Sequence, residues 1–439
     1  MTLSENEYRV LNVLLKDPSL SYTEIAQTIG LSVTSIRNLL FSLMEYEDSS
    51  SFEEDGVTPV KTNSSYVNLE YKPNKLSFYC KFNYDMLNLR KVDFFISCSS
   101  IYQMENATKF CDAHPYTAFI SRIYGGENGL FVIFILPSNT LDMLLFCFEV
   151  LKQENLIDNY NQIIKFSRFT IYSALKVDVF DANQDKWNFT FEDFKSKLTD
   201  YAEKTDSPNH FEIEGNQSIL EKLDKIDIMI LNEWGYAAGP RKTKAELLNN
   251  LSTGKIYANY VKGLKLNRYI ISDHVDSLLK QNIINNIGIG FDRRKIQILA
   301  TLFYSGIADS KFLNAFANFI QDNVFPFEST FNVGDLDSAS QTAHFTWWVS
   351  FTPDIVSKFT EFLYENSLQL QTFIVTSNIF DIENYPLYHA NFICDSPNSG
   401  HWNTSEENFI NGPLEAFFDT NKVQKLSTDF QKIRKPNKE

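Results

Sequence analysis

The sequence has few cysteines, and their arrangement excludes two kinds of stabilised fold. Only five cysteines occur among 439 residues, and no two of them form a Cys-x-x-Cys pair. Disulfide frameworks and structural zinc sites both use paired, regularly spaced cysteines. We therefore expect reduced core cysteines in a cytosolic protein, without structural zinc.

Long apolar runs are also missing. No run approaches the roughly 20 residues that a membrane helix needs, and the longest candidate, Leu130 to Leu136, has the length of a strand. The first residues, MTLSENEYRV, lack the basic and apolar regions of a signal peptide. These absences predict a cytoplasmic protein without a membrane partner.

Patterns of catalytic residues are missing as well. The six histidines are scattered, without the HxxxH or HxH spacing of a metal site, and there is no P-loop. Cys111 and His114 suggest a thiol–imidazole pair, but a helix that ends in a turn at Pro115 explains them better. The sequence predicts no catalytic residue, no metal, no cofactor and no enzymatic activity.

The overall charge disfavours nucleic acid unless basic residues are gathered locally. The net charge is −15, whereas DNA affinity comes mainly from Lys and Arg side chains that meet phosphates. The chain is 44% hydrophobic and 22% charged, as in ordinary globular proteins. Its length indicates two to four domains.

An internal duplication is indicated by matching segments with a nearly constant spacing. The strand–Pro–helix stretch around Pro137 reads like the one around Pro353, 216 positions later. Trp187-Asn188 likewise matches Trp402-Asn403, 215 positions later. Fixed spacing of similar segments is the signature of a repeat.

Each half changes from helical to strand-like periodicity and then follows a β-α-β-β-α-β order, which is the ferredoxin-like pattern. In the first half the predicted elements are Val92–Ser99, Gln103–Asp112, Tyr116–Tyr124, Leu130–Leu136, Leu141–Glu154 and Gln162–Tyr172. In the second half they are Gln297–Tyr304, Lys311–Asn323, Phe327–Val333, His344–Phe351, Asp354–Leu368 and Gln371–Ser377.

The predicted fold class is α+β, with two winged helix-turn-helix domains alternating with two ferredoxin-like domains. The predicted segments are a winged helix-turn-helix at 1–48, a β-rich wing or connector at 49–92, a ferredoxin-like domain at 93–180, a linker at 181–215, a second winged helix-turn-helix at 216–295, a second ferredoxin-like domain at 296–380 and a C-terminal extension at 381–439.

Three short helices are predicted near the N-terminus. Ser4 and Glu7 form a capping-box pattern, and Gly30 is placed to end the second helix. In the third helix Ile36, Leu40 and Leu43 are spaced to face inward. The outward residues are then Thr34, Ser35, Arg37 and Asn38, the candidates for contact with the major groove.

Residues 3–43 resemble the DNA-binding domain of the leucine-responsive/AsnC (Lrp/AsnC) family of bacterial and archaeal regulators. The stretch Tyr22 to Ala26 and the turn Gly30-Leu31-Ser32 carry the resemblance. It implies an archaeal-type transcription regulator, with a ferredoxin-like effector module, called RAM, after each DNA-binding domain. It also implies an amino-acid effector, which binds near the hairpin between the middle strands; the candidates there are Gly125, Gly126, Gly129, Gly334 and Asp335.

The N-terminal domain departs from the family in its charge. Only Arg37 is basic on the third helix, and residues 1–48 hold three Lys or Arg against seven Asp or Glu. Like charges oppose the approach of phosphate. This domain is therefore interpreted either as a DNA-binding domain or as a dimerisation or protein-binding domain.

The predicted second helix-turn-helix has the opposite charge. Residues 241–295 hold eleven Lys or Arg and four Asp or Glu. Ile283–Ile289 and Ile296–Tyr304 are predicted wing strands, with Phe291 to Lys295 at the tip. The candidates for contact with DNA are Lys242, Lys244, Arg268, Tyr269, Ser272, His274, Arg293, Arg294 and Lys295.

These patterns together predict a regulator that binds double-stranded DNA, either as a homodimer or as a single-chain pseudo-dimer. Two other functions stay open. One is a protein-interaction scaffold that does not bind DNA, and the other is a regulatory subunit that senses a small molecule such as an amino acid.

Overall fold

The computed structural model describes most of the chain. The described residues are 4–18, 20–44, 77–125, 128–164, 169–173, 175–181, 184, 186–204, 219–235, 244–254, 257, 261, 265–281, 283–290, 293–322, 325–337, 339–376, 389–394 and 400–434.

Helices and strands alternate along these residues. The helices are α1 (Glu5–Lys16), α2 (Tyr22–Ile29), α3 (Val33–Met44), α4 (Ile101–Ala113), α5 (Leu141–Gln153), α6 (Phe191–Lys204), α7 (Lys225–Gly235), α8 (Lys244–Thr253), α9 (Arg268–Lys280), α10 (Ser310–Gln321), α11 (Pro353–Asn366), α12 (Gly412–Leu414) and α13 (Thr420–Arg434). The strands are β1 (Ser77–Phe82), β2 (Leu89–Ser97), β3 (Thr117–Gly125), β4 (Gly129–Pro137), β5 (Asn159–Ile164), β6 (Phe169–Ser173), β7 (Phe180–Asp181), β8 (Lys186–Trp187), β9 (Ile284–Gly290), β10 (Ala300–Asp309), β11 (Ser329–Asp337), β12 (Thr342–Phe351), β13 (Ser367–Thr376), β14 (Phe392–Ile393) and β15 (His401–Trp402).

The chain forms two compact units. The first unit comprises Met1–Phe82, Phe180–Lys186 and Lys225–Ile296. The second comprises Asn83–Val179, Trp187–Asp224 and Gln297–Glu439.

The first unit contains two groups of three helices. In the first helical group, α1–α3, Ser4 and Glu7 form the predicted capping box, and Gly30 ends α2 with a φ of 71°. Val10, Leu11 and Ile36 are fully buried between the three helices. In the second helical group, α7–α9, the fully buried apolar residues include Leu247, Leu251, Ile271 and Leu278.

A two-stranded antiparallel sheet connects the two helical groups. Strand β1 pairs with β9, in a register that runs from Ser77↔Gly290 to Phe82↔Ile284. Strand β9 contacts α1, whereas β1 contacts α7, so each strand packs against the first helix of the other group. Strand β9 lies where a wing strand was predicted, but its predicted partner, Ile296–Tyr304, overlaps β10 of the second unit.

The second unit is built on a nine-stranded sheet with the order β5-β2-β4-β3-β13-β10-β12-β11-β6. The first α/β group, β2-α4-β3-β4-α5-β5, and the second α/β group, β10-α10-β11-β12-α11-β13, have the predicted order of elements. Every strand pair within this sheet is antiparallel. The predicted single strand Gln162–Tyr172 is wrong: β5 and β6 pair with different strands, β2 and β11, at opposite edges of the sheet.

The sheet bends until its two halves face each other. In a flat sheet, strands β4 and β10, which are three positions apart, would be separated by about 14 Å. The ring centroids of Phe131 on β4 and Phe303 on β10 are nevertheless only 4.4 Å apart, and those of Phe95 and Phe373 are 5.3 Å apart. The inner faces of the two halves therefore enclose an aromatic core. Helices α4, α10 and α11 each contact strands of their own α/β group.

Two segments that lacked predicted structure pack against helices of the second unit. Helix α6 occupies much of the predicted linker 181–215, because Phe191, Phe194 and Leu198 recur at helical spacing and are buried. The C-terminal extension also packs closely, since Trp402 Nε1 donates to Leu87 O at 2.7 Å. Helix α6 and the described part of the C-terminal extension, 389–394 and 400–434, therefore belong to the second unit.

Each of these two segments packs against the α/β group that it does not directly follow in the chain. The segment after the first α/β group contacts the second group, since the ring centroids of Phe194 and Phe359 are 4.7 Å apart. The segment after the second α/β group contacts the first group, where Tyr116 Oη donates to Asn403 O at 2.9 Å.

Among the described helices, none is both long and apolar enough to span a membrane.

Candidate nucleic-acid interface

Helix α3 presents a polar surface on the first helical group. Ile36, Leu40 and Leu43 are buried, and Thr34, Arg37 and Asn38 are exposed, as the spacing predicted. Ser35 is half-buried. Its backbone N–H donates to Ser32 Oγ at 3.0 Å, and its hydroxyl lies 2.8 Å from the same atom. Ser32 thus caps the N-terminus of α3, and Ser35 supplies the backbone N–H that it accepts.

Two of the acidic residues of this group serve the other two helices. Glu7 accepts a hydrogen bond from Ser4 N at 2.8 Å, and Glu24 accepts one from Ser21 N at 2.7 Å. Hydrogen bonds from Ser21 lower the pKa of Glu24. The sequence of α3 itself contains no acidic residue, so the acidic surplus does not lie on the helix that carries Thr34 and Asn38.

Helix α9 is the corresponding element of the second helical group. Asn267 caps it by accepting from Tyr269 N and Ile270 N at 2.9 and 3.0 Å. Arg268 is exposed, and Tyr269 has 82% of its surface exposed. Both predicted DNA contacts at the start of this helix are therefore accessible to a ligand.

Three other predicted DNA contacts, His274, Lys244 and Ser272, are engaged within the protein. His274 Nδ1 lies 2.7 Å from Oδ1 of the buried Asp227, and this contact joins α9 to α7. The half-buried imidazole is therefore directed towards α7.

Lys244, another predicted DNA contact, also bonds within the protein. Its Nζ donates to Ser272 Oγ at 2.7 Å and to Asp276 Oδ1 at 2.7 Å. The hydrogen bond from Lys244 lowers the pKa of Asp276. Lys244 and Ser272 thus connect α8 to α9, and the carboxylate of Asp276 offsets the charge that was expected to meet phosphate.

The remaining basic candidates lie at the end of β9. Arg293 is half-buried in a 3-10 turn, Arg293–Ile296, which follows that strand. The backbone of Arg294 and Lys295 belongs to the same turn, and their side chains lie outside the described part of the structure, as does Lys242. The turn occupies the place predicted for a wing tip.

A buried polar cluster that the sequence did not reveal surrounds Tyr257, which lies between α8 and α9 in the chain. Tyr257 is 1% exposed; its hydroxyl donates to Glu233 Oε1 at 2.7 Å and accepts from Asn232 Nδ2 at 2.8 Å. Asn250 Nδ2 donates to Glu233 Oε2 at 2.9 Å. These bonds connect Tyr257 to α7 and α8. No motif in the sequence predicted this cluster.

Close backbone contacts explain why glycine occupies two of the positions proposed for an effector site. A Cβ at Gly125 would collide with Thr372 O, and one at Gly129 would collide with Ile96 O. Gly334 and Asp335 do not lie in the hairpin turn but within β11, at a register shift between Val333 and Leu336. Gly126 lies outside the described residues.

Residues 3–46 match the family model of a winged helix-turn-helix DNA-binding domain. The first helical group is therefore a winged helix-turn-helix. The match covers α1–α3, and no curated protein matches the chain.

Several solved structures resemble the chain at low identity. Two are crystal structures of the siroheme decarboxylase NirDL, one of them in complex with an iron-uroporphyrin III analogue. Each is 10% identical to this chain, covers 88% of it and 97% of its own length, and has a TM-score of 0.44. The crystal structure of PH0061 is 14% identical, covers 37% of this chain and 90% of its own, and has a TM-score of 0.24.

These similarities overturn one expectation from the sequence. The absence of catalytic motifs predicted that the protein is not an enzyme, yet two of the similar structures belong to an enzyme. The expectation of a protein without catalysis is therefore withdrawn. TM-scores below 0.5 do not identify a reaction or an active site in this chain.

Proposed function

We propose that the protein is a DNA-binding transcription regulator that docks α3 in the major groove of duplex DNA. The observation that carries the proposal is the surface of α3, where Thr34, Arg37 and Asn38 are exposed on a helix without acidic residues. A recognition helix reads base edges with residues near its N-terminus. The match of residues 3–46 to a DNA-binding family model supports this assignment.

We further propose that the second helical group is a second helix-turn-helix and that the chain arose by duplication. Within each α/β group the third strand lies between the first and second, and the fourth lies beside the first. The spacing of Pro137 from Pro353 in the sequence agrees with this reading. One ancestral half would then consist of a helix-turn-helix with the Lrp/AsnC resemblance of α1–α3 and one ferredoxin-like unit.

In this proposal the second helical group also supplies phosphate contacts. Arg268 is exposed beside the N-terminus of α9, and Arg293 lies in the turn after β9. Each phosphate that a cation neutralises releases counterions and steepens the salt dependence of binding. Arg268→Gln should therefore weaken binding to all sequences and reduce the salt slope by about one unit.

The proposal is tested by fluorescence anisotropy of the full chain with random and genomic duplexes at about 50 and 200 mM salt. We expect saturable binding that weakens steeply with salt. Thr34→Ala with Asn38→Ala should lower the affinity for a preferred duplex by about 5- to 150-fold. Asn6→Ala, an exposed change on α1, is the matched control and should leave the affinity unchanged.

Binding that does not depend on salt, or that survives the α3 variant, would reject DNA docking through α3. A charge reversal at Arg293, Arg294 and Lys295 tests the second group in the same assay. Unchanged affinity in that variant would remove the turn after β9 from the interface.

A further inference from the structure

The two helical groups are coupled by their shared sheet. Strand β1, which follows α3 in the chain, pairs along its length with β9, which follows α9. Because β9 contacts α1 and β1 contacts α7, each group holds the strand of the other. Moving one group against the other would break the strand pairing and both helix–strand contacts. Helices α3 and α9 are thus held in a fixed relationship within one chain.

The outward surfaces of α3 and α9 differ in chemistry. Asn38 lies two residues after the buried Ile36, and Asp273 lies two residues after the buried Ile271. Both are exposed, so they occupy the same helical position. In the same way the exposed Thr34 corresponds to the exposed Tyr269. An identical pair of helices would present the same groups twice, and this pair does not.

We propose that one chain reads two unequal DNA half-sites at a fixed spacing, so that its operator is not a palindrome. The inference rests on the proposed DNA-binding function. A homodimer bound to DNA repeats the same contacts on two half-sites, and its operator mirrors the protein's two-fold symmetry. Here the two reading helices are held together by covalent connection and by β1–β9, and a second copy is not needed.

The side chains indicate which bases each half-site contains. The amide of Asn38 can bond both N6 and N7 of adenine, whereas the carboxylate of Asp273 can only accept, as from the N4 amino group of cytosine. The α3 half-site should therefore contain a required adenine, and the α9 half-site a required cytosine. Asp273 repels phosphate, and it offers affinity only where a base donates to it.

The test begins with selection of bound duplexes from a random pool by the purified full chain. We expect one consensus with two dissimilar half-sites, and sedimentation should show one chain per selected duplex. Insertion of about five base pairs, half a helical turn, between the half-sites should lower the affinity at least about tenfold. A palindromic consensus bound by two chains, or tolerance of the insertion, would overturn the proposal.

Two single variants assign the half-sites. Asn38→Ala should relax selection in one half-site only, and Asp273→Ala should relax it in the other only, while Asn6→Ala leaves both unchanged. Loss of selectivity in both half-sites with either variant would overturn the assignment. If no duplex is selected over random DNA, the proposed DNA-binding function itself fails, and this result is distinct from binding to a symmetric site.

Discussion

His274 and Asp227 join α9 to α7 through a contact of 2.7 Å between Nδ1 and Oδ1. Only 22% of the histidine side chain and 9% of the aspartate side chain are exposed. The contact lies on the side of α9 that faces the other helices, opposite the surface that carries Tyr269. A residue first expected to meet DNA therefore stabilises the helix that presents the expected DNA contacts.

Replacing His274 by Ala should lower stability without changing the contacts of α9 with DNA. The variant removes a partly buried partner of Asp227, which should cost about 1–3 kcal/mol of unfolding free energy. Urea unfolding followed by circular dichroism measures this loss. Lys280→Ala, an exposed change at the end of the same helix, should stay within about 0.5 kcal/mol of the parent. A His274 variant as stable as the Lys280 variant would contradict the contact.

The positions of the helices and strands of the α/β groups followed well from the sequence, because apolar periodicity reports burial. Predicted Leu130–Leu136 became β4 (Gly129–Pro137), and predicted Leu141–Glu154 became α5 (Leu141–Gln153). The buried and exposed faces of α3 were also predicted correctly. The partners of Lys244 and His274 were not predictable, since Asp276 and Asp227 reach them only through the packing of separate helices.

His114 should make the protein sensitive to acid. Its imidazole is 1% exposed among Phe110, Phe134 and Phe409, and burial lowers the pKa of His114 to about 3. The unfolded chain takes up this proton below about pH 6.5, and the folded chain does not. Stability is therefore lost as the pH falls from about 6.5 towards 3, by about 3 kcal/mol at pH 4.5.

The matched variant is His114→Leu. It loses the bond that Tyr116 N donates to His114 Nδ1 at 3.3 Å, so its melting temperature at pH 7.5 should be lower. Its decrease in melting temperature between pH 7.5 and 4.5 should, however, be smaller than that of the parent. His344→Gln, at an exposed position, should keep the parental decrease. Equal decreases in all three proteins would show that His114 is not a source of acid sensitivity.

Tyr257→Phe tests how the segment between α8 and α9 is held. The change removes only the hydroxyl that contacts Glu233 and Asn232, and a buried polar group that loses a partner costs about 1–3 kcal/mol. We expect that loss in urea unfolding, together with faster hydrogen exchange of amides in α8. Tyr269→Phe removes a hydroxyl from a side chain that is 82% exposed and should have no effect. Equal stabilities of the two variants would contradict the buried cluster.

Phe194→Ala tests whether α6 is an integral part of the second unit. The polar composition of 181–215 concealed this helix, because its apolar residues recur only once per turn and the aromatic rings that cover them come from α10 and α11. The ring of Phe194 lies 5.2 Å from that of Phe319 and 4.7 Å from that of Phe359. A cavity at this fully enclosed position should cost about 3–5 kcal/mol of unfolding free energy. Lys197→Ala, exposed on the same helix, should change it by less than about 0.5 kcal/mol, and a Phe194 variant within that margin would mean that 181–215 is the linker that its composition suggested.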